Sequence, residues 1–286
     1  MSNRRRNKEG AVGDYSTILY EASGSICRIT LNREDKKNAI NREMAQELLH
    51  AFRRVRDESA VGVVVLSGAG KSFCTGGDLS VFPSLAEHQN SLNWLAHDGY
   101  DINKAIEQCE KVVVAKVKGY CLAGGLELAL MCDLIYACES AKIGTTEINM
   151  GILPGWGGTA RIGRSMSAFR TREIIYSGRK DYPAREMYEM GLLTRVFPDD
   201  TFETDFEAAV ANLAGKKPIA LRMAKEVMAK SLECGSIDAA LALERNAIQW
   251  LVYAPDIQAV MDGFRTKPED LVKQQKDANI ASDVKK

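Results

Sequence analysis

The sequence predicts an α/β fold whose last third is helical. Three observations carry this. Short apolar runs alternate with amphipathic stretches of helical period as far as Phe197. One of those runs, Val112 to Val117, passes through a glycine turn into a helix start that carries a single carboxylate. Beyond Pro198 the apolar spacing is helical and strand formers are few. Composition agrees with a folded domain, since 45% of the 286 residues are apolar. Lys plus Arg and Asp plus Glu both number 38, so no global field argues for nucleic acid or an anionic membrane as a partner. No apolar run approaches the ~20 residues that span a bilayer. The seven cysteines form no close CxxC pairs and several sit inside apolar runs. They read as reduced, mostly buried thiols in a cytoplasmic setting, with neither a disulfide nor a zinc framework.

Taken in order, the first fourteen residues are polar and lack a period, so a solvated tail is expected. Its Arg4, Arg5 and Arg6 could contact RNA or serve in targeting, but no apolar segment follows them. Ile26 to Leu31 alternates as a strand does. Arg42 to Asp57 carries Met44, Leu48, Ala51, Phe52 and Val55 along one helical side. Val61 to Leu66 is nearly continuous apolar, as in a strand covered on both faces. Gly68 to Ser72, GAGKS, ends like a phosphate-binding loop, yet that loop requires glycine where Val65 stands, so a plain turn is expected. Cys74 to Asp78 makes a second turn of small residues, with Asp78 able to cap a helix start after it. Between Ser80 and Gln108 the helical pattern is patchy, through Phe82, Leu85, Leu92, Trp94 and Leu95. His50, His88 and His97 have no partner at ligand spacing, so no metal site is expected.

The chain is organised around Gly119 to Gly158. Here Ala123, Gly124 and Gly125 let a bound group approach the backbone closely, and the first N–H groups of the helix they open have no partner within it. An oxygen acquiring negative charge would be stabilised there. Glu127 lies in the first turn of that helix. Glu147 follows twenty residues later, after the strand-like run Leu134 to Ala137 and before the glycine-rich turn Pro154 to Gly158. Helices are expected at Met166 to Tyr176 and Ala184 to Met190, then a strand at Leu192 to Phe197. Thr204 to Ala214, Ile219 to Leu232 and Ile237 to Tyr253 build the helical layer. The expected divisions are a tail over 1–14, a core over 15–198, a helical region over 199–272 and a polar tail over 273–286. Gly163 to Ser167 ends in serine where a serine-hydrolase elbow needs glycine, and no GxGxxG dinucleotide turn occurs.

These pieces together resemble the crotonase, or enoyl-CoA hydratase, superfamily over roughly Tyr15 to Asp270. The matching segments are LNREDKKNAIN at Leu31 to Asn41, SFCTGGDL at Ser72 to Leu79, the central stretch, YSGRKDYPAREMYEMGLLTRVFP from Tyr176, and KPIALRMAKE from Lys217. The resemblance implies a crotonase-like spiral of ββα units, with a C-terminal helical layer that packs on neighbouring subunits in trimers or paired trimers. It implies an acyl-CoA thioester substrate whose carbonyl sits between the backbone N–H groups of Gly77 and Gly124. Glu127 and Glu147 fall on the glutamates that hold and activate water, Glu127 as base and Glu147 as protonated donor. Cys74, Gly76 and Asp78 fall on a turn that contacts CoA. Trp156 stands beside the acyl chain or packs in the core, and Phe264 and Lys267 match a C-terminal patch that approaches CoA.

No cofactor is implied other than the CoA of the substrate itself. The departures from the family pattern are Ala123 for the first of three glycines, Thr75 where alanine is common, and Thr146 where proline is common. The implied reaction is hydration of a 2-enoyl-CoA, in the breakdown of fatty or aromatic acids. An enoyl-CoA isomerase, a thioester hydrolase or carbon–carbon lyase of the same superfamily, and a non-catalytic acyl-CoA or RNA-binding relative are the alternatives.

Overall fold

The computed structural model describes residues 15–81 and 99–265. The expectations for both polar tails, for Phe82, Leu85, His88, Leu92, Trp94, Leu95 and His97, and for Lys267 lie outside the described residues. The chain divides into two compact units, Met1–Pro218 and Ile219–Lys286.

In the first unit the strands, numbered along the chain, are β1 (Ile18–Ser23), β2 (Ile26–Leu31), β3 (Val63–Gly68), β4 (Val112–Val117), β5 (Tyr120–Leu122), β6 (Leu134–Cys138), β7 (Lys142–Gly144), β8 (Tyr182–Pro183) and β9 (Arg195–Phe197). Its helices are α1 (Arg42–Arg56), α2 (described over 99–107), α3 (Gly124–Leu130), α4 (Gly158–Ser165), α5 (Ala168–Ser177), α6 (Ala184–Glu189) and α7 (Phe202–Ala214). The main sheet has the order β1-β2-β3-β4-β6-β9. Within this sheet, among the described residues, only the β1–β2 pair is antiparallel. A small second sheet runs β5-β7-β8.

The physical reasons are local. Val63, Val64, Val65 and Leu66 of β3 are all buried, as a central parallel strand with both faces covered requires. Helix α1 starts where the Asn41 side chain accepts the Met44 N–H at 2.9 Å, and it buries Met44, Leu48, Phe52 and Val55 while its charged side stays in water. Helix α7 packs against β3, β6 and β9 with Phe202, Phe206 and Val210 buried, and Tyr136 of β6 meets the Phe206 ring edge-on at 6.0 Å.

The sequence did not announce β1, although Ile18 and Tyr20 are buried and alternate with exposed neighbours. At an outer edge of the sheet, with one antiparallel neighbour, its apolar signal is short. Strands β5, β7 and β8 hold two or three residues each, too few for any period to register. The helix expected from Met166 begins at Ala168, because Ser167 caps it through the Arg170 N–H.

The second unit contains α8, which starts at the junction (Pro218–Ser231), α9 (Ile237–Val252) and α10 (Pro255–Arg265). No residue of α8 or α9 is buried. Leu232, Ile237, Trp250, Tyr253 and Phe264 are all exposed, so a single chain leaves much apolar helix surface in contact with water. Among the described residues, no helix is long and apolar enough to cross a membrane.

The loops that carry chemistry are tied down by one buried side chain. Asn38 is fully buried at φ 58°, and its amide donates to the carbonyls of Ala69 and Ser72, both at 2.9 Å. Its carbonyl accepts from the Arg33 N–H at 3.0 Å. Asn38→Ala strands these partners in the interior and puts alanine in a left-handed conformation that asparagine tolerates better. The expected loss is about 3 kcal/mol, read as a lowered urea midpoint at unchanged slope. A change under about 0.5 kcal/mol, the size typical of a surface site, would contradict this role.

Candidate active site

Two turns meet in the first unit, each pinned by main-chain bonds. The Cys74–Asp78 turn is bound on one side by Ile40 N–H to the Gly76 carbonyl (2.8 Å) and Asp78 N–H to the Ile40 carbonyl (2.9 Å). On its other side Cys74 N–H reaches the Tyr120 carbonyl at 3.1 Å and Leu122 N–H reaches the Cys74 carbonyl at 3.0 Å. Ile40 is therefore bridged to Gly77 through the flanking residues, which aims the N–H of Gly77 itself away from Ile40. It faces the start of α3. The Gly77 nitrogen lies 3.6 Å from where a Cβ on Gly124 would stand.

Gly124 is the first residue of α3, so its N–H has no partner within the helix. Among the described residues neither N–H is engaged by an acceptor. Gly125 makes the approach possible, since any Cβ there would lie 2.3 Å from the Cys74 carbonyl oxygen. Ala123, which precedes them, has φ 50° and ψ −128°. That is the conformation of the second residue of a type II′ turn, where glycine dominates, and an alanine there is strained. The strain persists because Ala123 N–H is bonded to the Gly144 carbonyl at 2.9 Å and both flanks of the turn are fixed.

Two carboxylates face the same space. Glu127 is 3% exposed, and its Oε1 accepts from the N–H groups of Trp156 (2.7 Å) and Gly158 (2.8 Å). The turn can come this close because Gly158 lacks a side chain: a Cβ there would stand 3.0 Å from the Glu127 Cγ and 2.8 Å from the Pro154 Cβ. Arg161 holds the turn from behind, donating to the Trp156 carbonyl at 3.0 Å while its Nη2 pairs with Glu107 at 2.6 Å. Burial pushes the Glu127 pKa up to about 7, helped by the neighbouring Glu147 and opposed by the two N–H bonds and Arg161. Glu147, 5% exposed at the start of a short 3-10 turn (Glu147–Met150), has both carboxylate oxygens buried with no hydrogen-bond partner among the described residues. Burial raises its pKa as well, countered by its own N–H and that of Thr146, which lie near the carboxylate without reaching hydrogen-bond geometry.

Between these groups lies a cavity of about 180 Å³. Gly77, Gly124, Glu127, Glu147 and Trp156 all line it. The lining also takes Thr75 and Leu79 but passes over Cys74, Gly76 and Asp78, which lie between and beside them. The Cys74 thiol is fully buried and its pKa is pushed up to about 12 by that burial. The Asp78 carboxylate is occupied by Ser80 Oγ (2.6 Å) and Arg33 (2.8 Å), and these bonds hold its pKa below the usual value. It locks the loop after β2 to the Cys74–Asp78 turn. Trp156 is buried and shares the cavity wall, and its other side leaves no room for a side chain at Gly99. Phe264, on α10 of the second unit, is 85% exposed.

Several contributors had no signal in the sequence. The donors to Glu127 are backbone N–H groups, which carry no residue signature. Met150, Ile152 and Leu153 read as ordinary apolar residues, though they line the cavity while remaining 47%, 45% and 62% exposed. Among the described residues no group of three or more metal-ligating side chains occurs.

Comparison with known proteins gives a consistent answer. The family described as enoyl-CoA hydratase/isomerase matches residues 21–274. A probable enoyl-CoA hydratase from Rhizobium meliloti (strain 1021) is 34% identical over 258 residues, covering 88% of this chain and 96% of its own. A 2,3-dehydroadipyl-CoA hydratase from Escherichia coli (strain K12) is 30% identical over 253 residues, with 88% and 96% covered. The crystal structure of an enoyl-CoA hydratase from Bacillus anthracis superimposes with a TM-score of 0.82 at 31% identity, over 87% of this chain and 96% of that one.

Two measurements check this geometry. Ala123→Gly relieves a conformation that costs of order 1–3 kcal/mol, against ~0.4–1 kcal/mol lost through a more flexible unfolded chain. It should stabilise the fold by about 1 kcal/mol, and a destabilised variant would show that the turn is not strained. For Glu127, the folded-state pKa of about 7 lies above the ordinary 4.5, so the unfolded chain binds fewer protons between those values. Stability therefore falls as pH rises from about 4.5 to about 7. Glu127→Gln keeps the acceptor and removes that dependence. Relative to the wild type, the variant should gain on the order of 2–3 kcal/mol between pH 4 and pH 8, seen in its thermal midpoint. Parallel pH curves for the two proteins would contradict the assignment.

Proposed function

The chain belongs to the enoyl-CoA hydratase/isomerase family, and from that premise we propose that it is an enoyl-CoA hydratase in which Gly77, Gly124, Glu127 and Glu147 carry the reaction. Water adds across the double bond of a 2-enoyl-CoA, or leaves in the reverse direction. Glu127 takes a proton from water as the oxygen bonds to Cβ. The electron pair of the double bond moves toward the thioester oxygen, and the N–H groups of Gly77 and Gly124 stabilise the enolate that forms. Glu147 then gives its proton to Cα as the enolate collapses. Loss of one such N–H donor typically raises a barrier by ~3 kcal/mol.

The observation that carries this reading is the unequal support of two buried acids beside one cavity. Glu127 accepts two N–H bonds, which favour its ionised form, as a base requires. Glu147 accepts no hydrogen bond from the described residues, which favours the protonated form an acid requires. An isomerase moves a proton with one carboxylate, and the second acid favours hydration. CoA enters only as part of the substrate. We retain Phe264 and Lys267 as CoA contacts, with the turn from Cys74 through Gly76 to Asp78, on the family resemblance alone. A homo-oligomer, a trimer or a pair of trimers, is supported by the exposed apolar surface of α8 to α10, and a cytoplasmic setting completes the proposal.

The test is hydration of crotonyl-CoA and of longer 2-enoyl-CoA esters by Glu127→Gln and Glu147→Gln. Each should lower kcat by at least ~10² with an unchanged circular dichroism spectrum, since each removes a proton-transfer group worth ~10²–10⁴. Near-normal turnover by either variant would remove that residue from the mechanism.

A further inference from the structure

Resting on the acyl-CoA reading above, we infer that the site accepts an acyl group that is uncharged and apolar along its length, and rejects acyl chains that end in a carboxylate. The described lining comes from three stretches of chain, 75–79, 123–127 and 146–156, and none of them contains a single Lys or Arg. Glu127 and Glu147 are the only charged side chains on the described lining. A terminal carboxylate entering this space would meet two buried acids and no countercharge, and an unpaired buried anion is costly. The cation just past the third stretch, Arg161, is already tied to Glu107 and to the Trp156 carbonyl.

The rim supports the same conclusion from the other direction. Leu79, Met150, Ile152 and Leu153 line the cavity and remain 45–62% exposed, a run of apolar surface beside the buried acids. A hydrocarbon chain that passes the reacting carbons covers this surface and gains by removing it from water. A chain ending in a charged group must either bury the charge there or leave the rim bare. The selectivity comes from what the walls lack and from what the rim exposes.

The experiment compares two six-carbon esters at pH 8, trans-2-hexenoyl-CoA and 2,3-dehydroadipyl-CoA, which differ only in a terminal methyl or carboxylate. It reads kcat/KM for hydration, and by titration calorimetry the dissociation constants of the saturated partners, hexanoyl-CoA and adipyl-CoA. The expected preference for the methyl-ended ester is at least ~100-fold in kcat/KM and tenfold in binding. Extending the chain by two methylenes that reach the rim should lower KM by roughly tenfold. Leu153→Lys, which adds a cation at the rim, should narrow the preference by at least tenfold. Equal or reversed kcat/KM for the two enoyl esters overturns the selectivity and leaves the hydratase reading standing. Tighter binding of hexanoyl-CoA with no hydration of either ester supports the selectivity and overturns the hydratase reading. No binding of either saturated ester overturns both.

Discussion

The structure depends on a row of main-chain hydrogen bonds that holds the Cys74–Asp78 turn between Ile40 on one side and Tyr120 and Leu122 on the other. Those bonds leave the Gly77 N–H directed at the start of α3, where the Gly124 N–H is also without an internal partner. A pair of donors arranged before any substrate arrives needs no reorganisation when charge develops, which is why such a pair is effective in a site that excludes water. The surrounding side chains serve this alignment. Asn38 and the Arg33–Asp78 pair fasten the loop that bears Ile40, and Gly125 allows the two turns to touch. The strained backbone of Ala123 is a cost of the same geometry.

Burying two acids together is unfavourable for folding, and the chain offsets this unevenly. Glu127 receives two backbone N–H bonds and the field of Arg161. Glu147 receives no hydrogen bond from the described residues. Burial raises the pKa of both groups, and they differ in the hydrogen bonds that oppose that rise. Removing charge from either position should suit the fold better than it suits chemistry, a conflict expected where a site is built for reaction instead of stability.

Much of this was legible in the sequence because it rests on residue types with narrow uses. Glycines at 124 and 125 before a helix, an acid in its first turn and a second acid ahead of another glycine turn mark both the turns and the carboxylates. The long strands and α1 show in the apolar period. The parts that stayed hidden depend on the backbone or on sequence-distant contacts. The N–H donors of Trp156 and Gly158 have no side-chain signature, Arg33 meets Asp78 across 45 positions, and the second sheet has strands too short to show a period. Asp78 reads in sequence as a cap or a ligand contact, and the cap is present: its Oδ1 accepts from the Ser80 N–H and hydroxyl, while Arg33 pairs with its other oxygen. Ala123 reads as a tolerated replacement for glycine, and its left-handed backbone shows what that replacement costs.

The central claim is that the Gly77 and Gly124 N–H groups converge on one carbonyl oxygen. It is tested most directly by the infrared difference spectrum of a saturated acyl-CoA, labelled with ¹³C at its thioester carbonyl and bound to the protein. Two short N–H bonds should shift the carbonyl stretch to lower frequency than in water and narrow it to a single band. A band at the frequency and width seen for the free ester in water would mean that the two donors do not hold the carbonyl.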